Sequence, residues 1–451
     1  MTSPGPAHPF APRVRKRYLH QVVAFGPTLA AWTRALSALC TPAGGRAALE
    51  AARRARLDRL TLCFDRVPFW QARFRALGWG RHQLAEPGRW DALPPMTRAD
   101  LQTHLDALTP HPLPPALRAT PDDVYEGLTS GSTGQPVRFR MSGAAYHGMF
   151  PVVSLVRRWL RLPALRPGRG YALLDALGHS PEYGALLPLC GGLRFEKLTV
   201  GRPEWRSRLR RLRPQVVTGD PDSLAALLET DVRPDLVLSS AFALPERLHA
   251  DLVRHLGCPV VEYYSAAETG PLALRCPAGH GWHVLTPFVH LDAVPAPDTG
   301  EALLLTDLRN DALPLLRYAV GDRGRVDPEV VDCACGLHTP RLRALEGRTA
   351  VVFRRPDGGA WNPAGLGPSL GRLPVRDFEL TELGPGRLRL RYHGAAPLEP
   401  RALEALAARL RAVAGEGMRL DAHFERDPFR APGVKPRPFV AHPGRDAPLE
   451  P

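Results

Sequence analysis

The sequence predicts an α/β fold, in which a large amino-terminal domain with a parallel sheet precedes a small α+β domain. Between residues 213 and 270, short β-branched runs alternate with helical segments across short connections, a pattern typical of parallel βαβ units. After residue 350 a hairpin, one amphipathic helix and a further strand follow, enough to fold as a separate unit. The predicted boundaries are 1–348 for the large domain, 349–442 for a small mobile domain and 443–451 for a disordered tail.

Length and composition favour a globular protein. A chain of 451 residues predicts two or three domains, and its composition of 44% hydrophobic and 23% charged residues is ordinary for a soluble protein. No apolar run is long enough to span a membrane. The amino-terminal segment lacks the uninterrupted apolar core of a signal peptide. We therefore expect a cytoplasmic protein without a membrane span.

The formal net charge of +14 does not by itself indicate a nucleic-acid partner. Only three basic residues are lysines, Lys16, Lys197 and Lys435, and the arginines are spread along the chain between leucines and alanines. This distribution fits solvated helix faces and strand surfaces better than one basic stripe. We expect no nucleic-acid binding. The seven cysteines indicate reduced thiols or metal ligands rather than a disulfide framework.

The amino-terminal part of the first domain is predicted to be helical. Residues 46–78 carry apolar side chains at helical spacing, and Thr97 has the position of an N-cap for a short helix, so the segment 46–110 is predicted to be mainly helical. In the following α/β region the predicted strands are PQVVTG, DLVLSS and PVVEYYS. Their carboxyl ends fall at residues 219–220, 239–241 and 264–268, and ligands bind beyond such ends in parallel sheets.

The segment GLTSGSTGQPVRF, residues 127–139, combines glycines with hydroxylated side chains. Such loops can direct several backbone N–H groups towards a phosphate. A Gly-Lys-Ser/Thr ending is missing, so the segment does not fit the Walker pattern. Taken alone, it fits a phosphate loop or a plain turn equally well.

Four segments together resemble the motifs of the adenylate-forming superfamily, in the right order. They are LTSGSTGQP, EYYSAAETGPLA at 262–273, LPLLRYAVGDRGRV at 313–326 and LEGRTAVVF at 345–353. The segments VPFWQARF, LPPMTRADL and CACG followed by PRLRALEGR make the chain most similar to the phenylacetate–CoA ligase branch, which includes CapK-like proteins. The resemblance covers roughly residues 60–440. It implies the large domain and small mobile domain of that superfamily.

The resemblance implies an ATP-dependent, AMP-forming ligase. A small carboxylic acid would be activated to acyl-AMP and then transferred to a thiol, with ATP, Mg²⁺ and CoA as cofactors. Two alternatives stay open: an adenylate-forming enzyme with a different acceptor, and a non-catalytic nucleotide-binding relative. The sequence does not identify the acid, although aromatic acids are one class suggested by the branch. The oligomeric state is also open, a dimer included.

The resemblance further assigns nucleotide contacts to the motif residues. Asp322 would accept both ribose hydroxyls, a bidentate arrangement that suits a carboxylate. Tyr264 would flank the adenine, with a core tyrosine as the alternative. The remaining predicted contacts to the nucleotide come from the glycine-rich loop and two strand ends: Thr129, Ser130, Gly131, Ser132, Thr133, Gly134, Ser239, Ser240, Ala241 and Ser265.

Three charged residues carry the implied chemistry. Glu268 would bind Mg²⁺, since hard carboxylate oxygens suit this ion, and a helix-capping glutamate is the alternative. Lys435 has a point-like ammonium on a flexible stem, which suits contacts to both the carboxylate and the α-phosphate. Arg348 would contact the ribose or the hinge, with a plain surface arginine as the alternative.

Cysteines and histidines in two segments fit a structural zinc site. The segment RCPAGHGWH contains Cys276, His280 and His283, and DCACGLH contains Cys333 and Cys335. Three cysteines and one of the two histidines could hold Zn²⁺ tetrahedrally. The alternative is a set of reduced, unligated thiols.

Several positions depart from the superfamily pattern. Gln135 replaces the usual loop lysine, Ser265 replaces a glycine, and Phe242 stands where the branch often has glutamate. Thr349 and Ala350 replace the acidic hinge residue. We interpret these departures as signs of an unusual substrate, an unusual acceptor or reduced activity. The segment 173–192, with His179 and Tyr183, is the predicted acid pocket.

Overall fold

A computed structural model describes most of the chain. The described residues are 14–114, 124–129, 137–166, 168–175, 184–187, 193–241, 244, 246–295, 301–346, 353–361, 363–370, 373, 375–394, 396–427, 429 and 439–441. The chain divides into two compact units, Met1–Gly127 with Arg138–Gly347, and Leu128–Val137 with Arg348–Pro451.

Twelve α-helices lie in the described residues. They are α1 Val14–Ala38, α2 Pro42–Arg66, α3 Pro68–Ala76, α4 Arg89–Ala92, α5 Arg98–His104, α6 Gly143–Tyr146, α7 Met149–Trp159, α8 Trp205–Leu212, α9 Pro221–Ala225, α10 Glu246–Leu256, α11 Gly367–Leu370 and α12 Pro400–Ala414.

The strands of the described residues number twenty. They are β1 Val124–Leu128, β2 Arg138–Ser142, β3 Gly170–Asp175, β4 Gly184–Leu187, β5 Leu193–Thr199, β6 Pro214–Gly219, β7 Leu236–Ser239, β8 Val260–Ala266, β9 Gly270–Arg275, β10 Trp282–Val284, β11 Val289–Pro295, β12 Glu301–Asp307, β13 Tyr318–Val331, β14 Thr339–Glu346, β15 Phe353–Arg354, β16 Ala360–Trp361, β17 Val375–Gly384, β18 Arg387–Gly394, β19 Arg419–Glu425 and β20 Phe439–Val440.

A twelve-stranded sheet organises the first unit, in the order β11-β12-β13-β14-β10-β9-β8-β7-β6-β3-β5-β4. Strands β5, β3, β6, β7 and β8 run parallel, which confirms the predicted βαβ region. The rest of the sheet, in the order β8-β9-β10-β14-β13-β12-β11, pairs antiparallel. The sequence analysis did not predict this antiparallel part. After β8 the chain reverses through a tight turn rather than a crossover helix, so antiparallel pairing follows.

Helices cover one face of the parallel strands. The cluster includes Trp205 and Leu209 of α8 and Leu252 of α10, packed with Leu174 of β3 and Val237 of β7. All five side chains are buried, and each fully buried leucine or valine stabilises the fold by about 1.5–3 kcal/mol. This packing fixes the strands whose carboxyl ends were predicted to carry the site.

The amino-terminal helices are partly as predicted. Helices α2 and α3 cover the predicted segment 46–78, and α5 begins directly after Thr97, whose side chain accepts a hydrogen bond from the Asp100 N–H. Helix α1 was not predicted, because Pro27 lies inside it and proline normally interrupts a helix. Among the described helices, none combines the length and the apolar character needed to cross a bilayer.

The second unit contains a four-stranded sheet in the order β19-β18-β17-β20. Strands β17 and β18 form the predicted hairpin, and helix α12 buries Leu406, Leu410 and Ala414. These side chains join the same apolar cluster as Leu388 and Leu390 of β18. The unit is thus an α+β arrangement with its own core.

Candidate active site

Glu268 lies in the tight turn between β8 and β9. The Thr269 N–H donates to the Ala266 carbonyl over 3.2 Å, and Ala266 pairs with Gly270 across the two strands. Gly270 has φ +84°, a conformation that suits glycine because it lacks a Cβ. The turn therefore places Glu268 at the carboxyl end of the last parallel strand.

Two side chains contact the carboxylate of Glu268, which is only 4% exposed. The Tyr318 hydroxyl donates to Glu268 Oε1 over 3.0 Å, and Arg98 Nη1 lies 3.7 Å from the same oxygen. The sequence analysis proposed neither Tyr318 nor Arg98 as a site residue. Together they give the buried carboxylate one hydroxyl donor and one compensating positive charge.

The backbone before α5 explains how Arg98 reaches Glu268. The Met96 N–H donates to the Arg317 carbonyl over 3.0 Å, and the Ala319 N–H donates to the Met96 carbonyl over 2.8 Å. These bonds join residue 96 to the beginning of β13, next to Tyr318. The Thr97 cap then starts α5, so that Arg98 is its first residue. The sequence indicated the Thr97 cap. It could not indicate the contact between Arg98 and Glu268, because these residues lie far apart in the chain.

Tyr264 and Asp322 meet directly. The Tyr264 hydroxyl donates to Asp322 Oδ2 over 2.6 Å, although β8 and β13 are not neighbours in the sheet. The sequence analysis assigned both residues to one nucleotide, and the structure brings them together. Ser265 is the next residue of β8 and is partly buried.

The end of β7 carries an unusual backbone conformation. Ser239 is fully buried, and the Ser240 N–H donates to the Gly219 carbonyl at the end of β6 over 3.1 Å. Ala241 follows with φ +76°, in the left-handed region that residues with a Cβ rarely adopt. Such conformations cluster at functional sites, and here the strain falls within the predicted adenine-lining segment.

Thr129 is the described residue of the glycine-rich loop that was predicted to bind phosphate. Its N–H donates to the Val137 carbonyl over 2.9 Å, and its Oγ1 accepts from the Val137 N–H over 2.9 Å. The pair closes the base of the loop, and phosphate binding by Thr129 stays a prediction. The other predicted site residues outside the described part of the chain are Ser130, Gly131, Ser132, Thr133, Gly134, Arg348 and Lys435, together with His179 and Tyr183 of the acid pocket.

The predicted zinc ligands converge in the first unit. One ligand atom from each of Cys276, His283, Cys333 and Cys335 lies within 4.8 Å of the others. The Cys276 and Cys333 sulfurs are 3.7 Å apart, and Cys335 Sγ is 3.1 Å from His283 Nε2. His280 lies beside this group, with its Nδ1 3.8 Å from Cys333 Sγ.

Surrounding hydrogen bonds fix two of these residues. His283 Nδ1 lies 3.2 Å from Thr339 Oγ1, which leaves Nε2 directed at the cysteines. The Trp159 indole N–H donates to the Cys335 carbonyl over 2.7 Å. Outer hydrogen bonds of this kind orient metal ligands and fix the histidine tautomer.

The thiols and the imidazole of this cluster titrate unlike free side chains. Burial opposes ionisation of Cys333, but hydrogen bonds involving His280, Cys335 and Cys276 outweigh it and lower its pKa to about 6. Burial raises the pKa of Cys335 to about 12. Burial, helped by the nearby Arg341, lowers the pKa of His283 to about 3, so this imidazole is neutral at physiological pH.

The chain is similar in sequence and in fold to known acyl-CoA ligases. No protein-family model matches the chain. The chain is 26% identical to the phenylacetate–coenzyme A ligase of Thermus thermophilus over an alignment of 339 residues, with a coverage of 67% of this chain and 71% of that enzyme. The structure of 2-hydroxyisobutyryl-CoA ligase with 2-HIB-AMP and CoA in the thioesterification state matches 86% of this chain and 89% of its own, with TM-score 0.54 and 17% identity. The open conformation of that ligase matches 86% and 91%, with TM-score 0.50 and 17% identity.

The fold matches that of an acyl-CoA ligase, which agrees with the resemblance to the adenylate-forming superfamily seen in the sequence motifs. In sequence, the chain is similar to an enzyme of the phenylacetate–CoA ligase branch, in line with the predicted resemblance.

Proposed function

We propose that this chain activates a small carboxylic acid with ATP and transfers the acyl group to the thiol of CoA. The observation that carries the proposal is the placement of two carboxylates, each in contact with a partner side chain, near the carboxyl end of β8. There Glu268 lies with Arg98 and Tyr318, while Asp322 is already hydrogen-bonded to Tyr264. One acidic centre suits a metal–triphosphate group, and the other suits a ribose.

The reaction has two steps. In the first, a carboxylate oxygen attacks the α-phosphorus of ATP, the bond to the β-phosphate oxygen breaks, and pyrophosphate leaves. In the second, the sulfur of CoA attacks the acyl carbon, the bond to AMP breaks, and the thiol gives up its proton. Charge accumulates on phosphate oxygens in the first step, so positioning and electrostatic stabilisation dominate the catalysis. Arg98 is the described cation nearest to Glu268.

Glu268 fits the role of a magnesium ligand. Tyr318 and Arg98 lie at its Oε1, and the carboxylate has a second oxygen that could bind a metal. Mg²⁺ is usually held by one or two carboxylates together with substrate phosphates, so a single buried carboxylate is sufficient. When bound, the ion would neutralise phosphate charge. Tyr318 and Arg98 would keep the Glu268 carboxylate correctly oriented.

The proposal also specifies the acyl acceptor and the class of acid. CoA is favoured over other acceptors because the similar curated protein is a coenzyme A ligase. ATP and CoA are both available in the cytoplasm, which is the location we propose. A small carboxylic acid is the proposed substrate class, with aromatic acids tested first.

Hydroxamate trapping and pyrophosphate release across an acid library, with and without CoA, test this function. We expect one acid class to give hydroxamate without CoA and a thioester with it. Glu268→Gln and Asp322→Ala should each lower pyrophosphate release at least a hundredfold, while Asp421→Asn, an exposed residue of β19, should not. Hydroxamate without thioester would indicate another acceptor. Silence with every acid, while ATP still binds, would indicate a non-catalytic relative.

We also propose that Cys276, His283, Cys333 and Cys335 hold a structural Zn²⁺. Two thiolates bound at about 2.3 Å to a tetrahedral zinc lie about 3.8 Å apart, and the Cys276–Cys333 distance is 3.7 Å. The purified protein should contain about one zinc per chain by elemental analysis. Cys335→Ser should lose it, whereas Cys258→Ser, a buried cysteine outside the cluster, should keep it. Equal zinc content in both variants would contradict the proposal.

A further inference from the structure

A buried ion pair lies behind the Glu268 turn. The Arg309 side chain has 0% and the Asp307 side chain 1% of its surface exposed, and Arg309 Nε is 3.4 Å from Asp307 Oδ1. The Arg309 N–H also donates to Asp307 Oδ1 over 2.8 Å. The carboxylate therefore holds both the backbone and the side chain of Arg309.

The guanidinium of Arg309 is fixed to the turn itself. Its Nη2 donates to the Thr269 carbonyl over 2.6 Å, and Thr269 is the residue directly after Glu268. A short bond from a charged donor is among the stronger hydrogen bonds in proteins. Movement of Arg309 would thus shift the peptide group next to the proposed magnesium ligand.

Packing leaves the guanidinium little freedom. It lies 4.1 Å from the ring centroid of Phe288 and 5.9 Å from that of Trp32. On another side, a Cβ at Gly148 would come within 2.7 Å of Arg309 Nη1. The two rings and Gly148 therefore confine the Arg309 side chain. A residue that positions another residue needs to be confined in this way.

The next residue extends this arrangement to a second segment. Asn310 Oδ1 accepts from the Ser142 N–H over 2.9 Å, and its Nδ2 donates to the Arg140 carbonyl over 2.7 Å. Both bonds go to β2, the strand that follows the glycine-rich loop in the sequence. Consecutive residues of one segment therefore hold the Glu268 turn and β2.

Stability alone does not explain the pair. Burying an ion pair costs desolvation that its attraction often fails to recover. Among the described residues, Arg309 Nη1 and Asp307 Oδ2 are buried without a hydrogen-bond partner, which adds to that cost. An apolar pair of similar volume would be at least as stabilising, so geometry is the better explanation.

We propose that Arg309, held by Asp307, is a positioning residue that sets the place of Glu268 for magnesium–ATP binding. This inference rests on the proposed function. It predicts that changing Arg309 affects the dependence on Mg²⁺ more than the affinity for the acid, since Arg309 is bonded to the turn that carries the proposed magnesium ligand.

Arg309→Lys tests the proposal, because lysine keeps the charge and loses the planar fork. The matched control is Arg157→Lys. Arg157 is also a buried arginine, lies 3.4 Å from its aspartate partner Asp235 and donates to a backbone carbonyl, that of Pro163. Its partner precedes β7 and so lies at the amino end of the strand, away from the Glu268 turn. Asp307→Asn is the second test variant, since it keeps an oxygen for the Arg309 N–H.

Two quantities are measured for each variant: the Mg²⁺ concentration that gives half-maximal pyrophosphate release, and the rise in melting temperature that Mg²⁺ with ATP produces over ATP with EDTA. We expect Arg309→Lys to raise the first about tenfold, the effect of losing roughly one good hydrogen bond, and to reduce the second. Asp307→Asn should change both in the same direction by less. Arg157→Lys should lower the melting temperature without ligand and leave both quantities unchanged.

The two proposals fail in distinguishable ways. If wild type shows pyrophosphate release and the Mg²⁺–ATP melting shift, but Arg309→Lys and Asp307→Asn behave like Arg157→Lys, the positioning role is wrong and the proposed function stands. If wild type shows neither signal, the proposed function fails and the positioning role fails with it. If Arg309→Lys does not fold, Asp307→Asn alone decides between these outcomes.

Discussion

Arg98 is the residue that most changes the description of the site. Its guanidinium lies near a carboxylate that the sequence alone had assigned to a metal. A cation beside a buried carboxylate offsets the cost of burying that charge. Under the proposed function, the phosphates that a metal would bring to Glu268 would lie near the same cation. In this proposal, Arg98 compensates the charge of Glu268 in the free chain and would also compensate phosphate charge in the complex.

Arg98→Ala should raise the KM for ATP about tenfold and lower kcat, while the KM for the acid changes little. The reason is the loss of a charged contact in the phosphate region, worth about 1.5–3 kcal/mol in full. Steady-state kinetics with each substrate varied in turn would measure it. Arg254→Ala, which removes an exposed arginine paired with Asp251, is the control. Equal effects of the two changes would contradict the assignment.

His147 should make folding sensitive to mild acid. It is buried between the rings of Tyr146 and Phe150, and burial lowers its pKa to about 4. Because the unfolded imidazole takes up its proton near pH 6.5, stability is complete above that pH and is lost as the pH falls towards 4. The loss between pH 7 and pH 5 should be about 2 kcal/mol.

Urea unfolding of wild type and His147→Gln at pH 7, 6 and 5 measures this contribution. The variant should start less stable and then lose less stability on acidification. Comparing the two slopes removes the contribution of His283, whose lowered pKa acts in the same direction. Parallel slopes would show that folding does not lower the pKa of His147.

At the level of elements, the beginning of α5 serves both stability and the site. The Thr97 side chain accepts from the Asp100 N–H over 3.1 Å, and the Thr97 N–H donates to Asp100 Oδ2 over 2.7 Å. This reciprocal cap fixes the first helical residue, which is Arg98. The sequence predicted the cap from residue types because capping depends on neighbours three positions apart.

Thr97→Ala should cost about 1 kcal/mol of stability and raise the KM for ATP, since Arg98 loses its fixed start. Thr41→Ala is a matched control: Thr41 caps α2 in the same way, accepting from the Gly44 N–H. Its loss of stability should be similar, with no change in the KM. Chemical denaturation and ATP kinetics on the two variants separate these effects. A raised KM in Thr41→Ala would mean that general destabilisation is the cause.

Helices and strands were predictable from the sequence where one local rule determined them. They were not predictable where tertiary packing determined them. Strands β6, β7 and β8 are short buried runs with helices between them, and periodicity identified them. Helix α1 contains Pro27, and it packs against α7, so tertiary contacts override the local signal. Likewise, Tyr264 and Asp322 were each identifiable from a motif, whereas the contacts of Glu268 with Tyr318 and Arg98 depend on how distant segments meet.

At the level of the whole molecule, the cysteine and histidine cluster connects the sheet to the amino-terminal helices. The backbone N–H of His338, the last residue of the DCACGLH segment, donates to the Leu39 carbonyl over 2.9 Å. A Cβ at Gly45 would lie 2.1 Å from the His338 carbonyl oxygen. The segment therefore packs closely against the turn between α1 and α2.

If the cluster holds zinc as proposed, removing the metal should loosen this turn. We expect residues 39–45, 276–283 and 332–338 to exchange backbone hydrogens faster after chelation, because local stability there depends on the metal-linked loops. Strands β6 and β7, which are held by the helix-covered core, should exchange as before. Hydrogen-exchange mass spectrometry with and without chelator measures this. Uniform acceleration across the first unit would instead indicate that the metal supports the whole fold.

The contact between Tyr264 and Asp322 has a consequence for how a nucleotide is received. The phenol holds the carboxylate in one rotamer before any ligand arrives. The rotational entropy of that side chain is then lost during folding, and docking does not have to supply it. Immobilising one such side chain at docking would otherwise cost about 0.5–1.5 kcal/mol. Under the proposed function, Tyr264 would therefore strengthen ribose binding through Asp322.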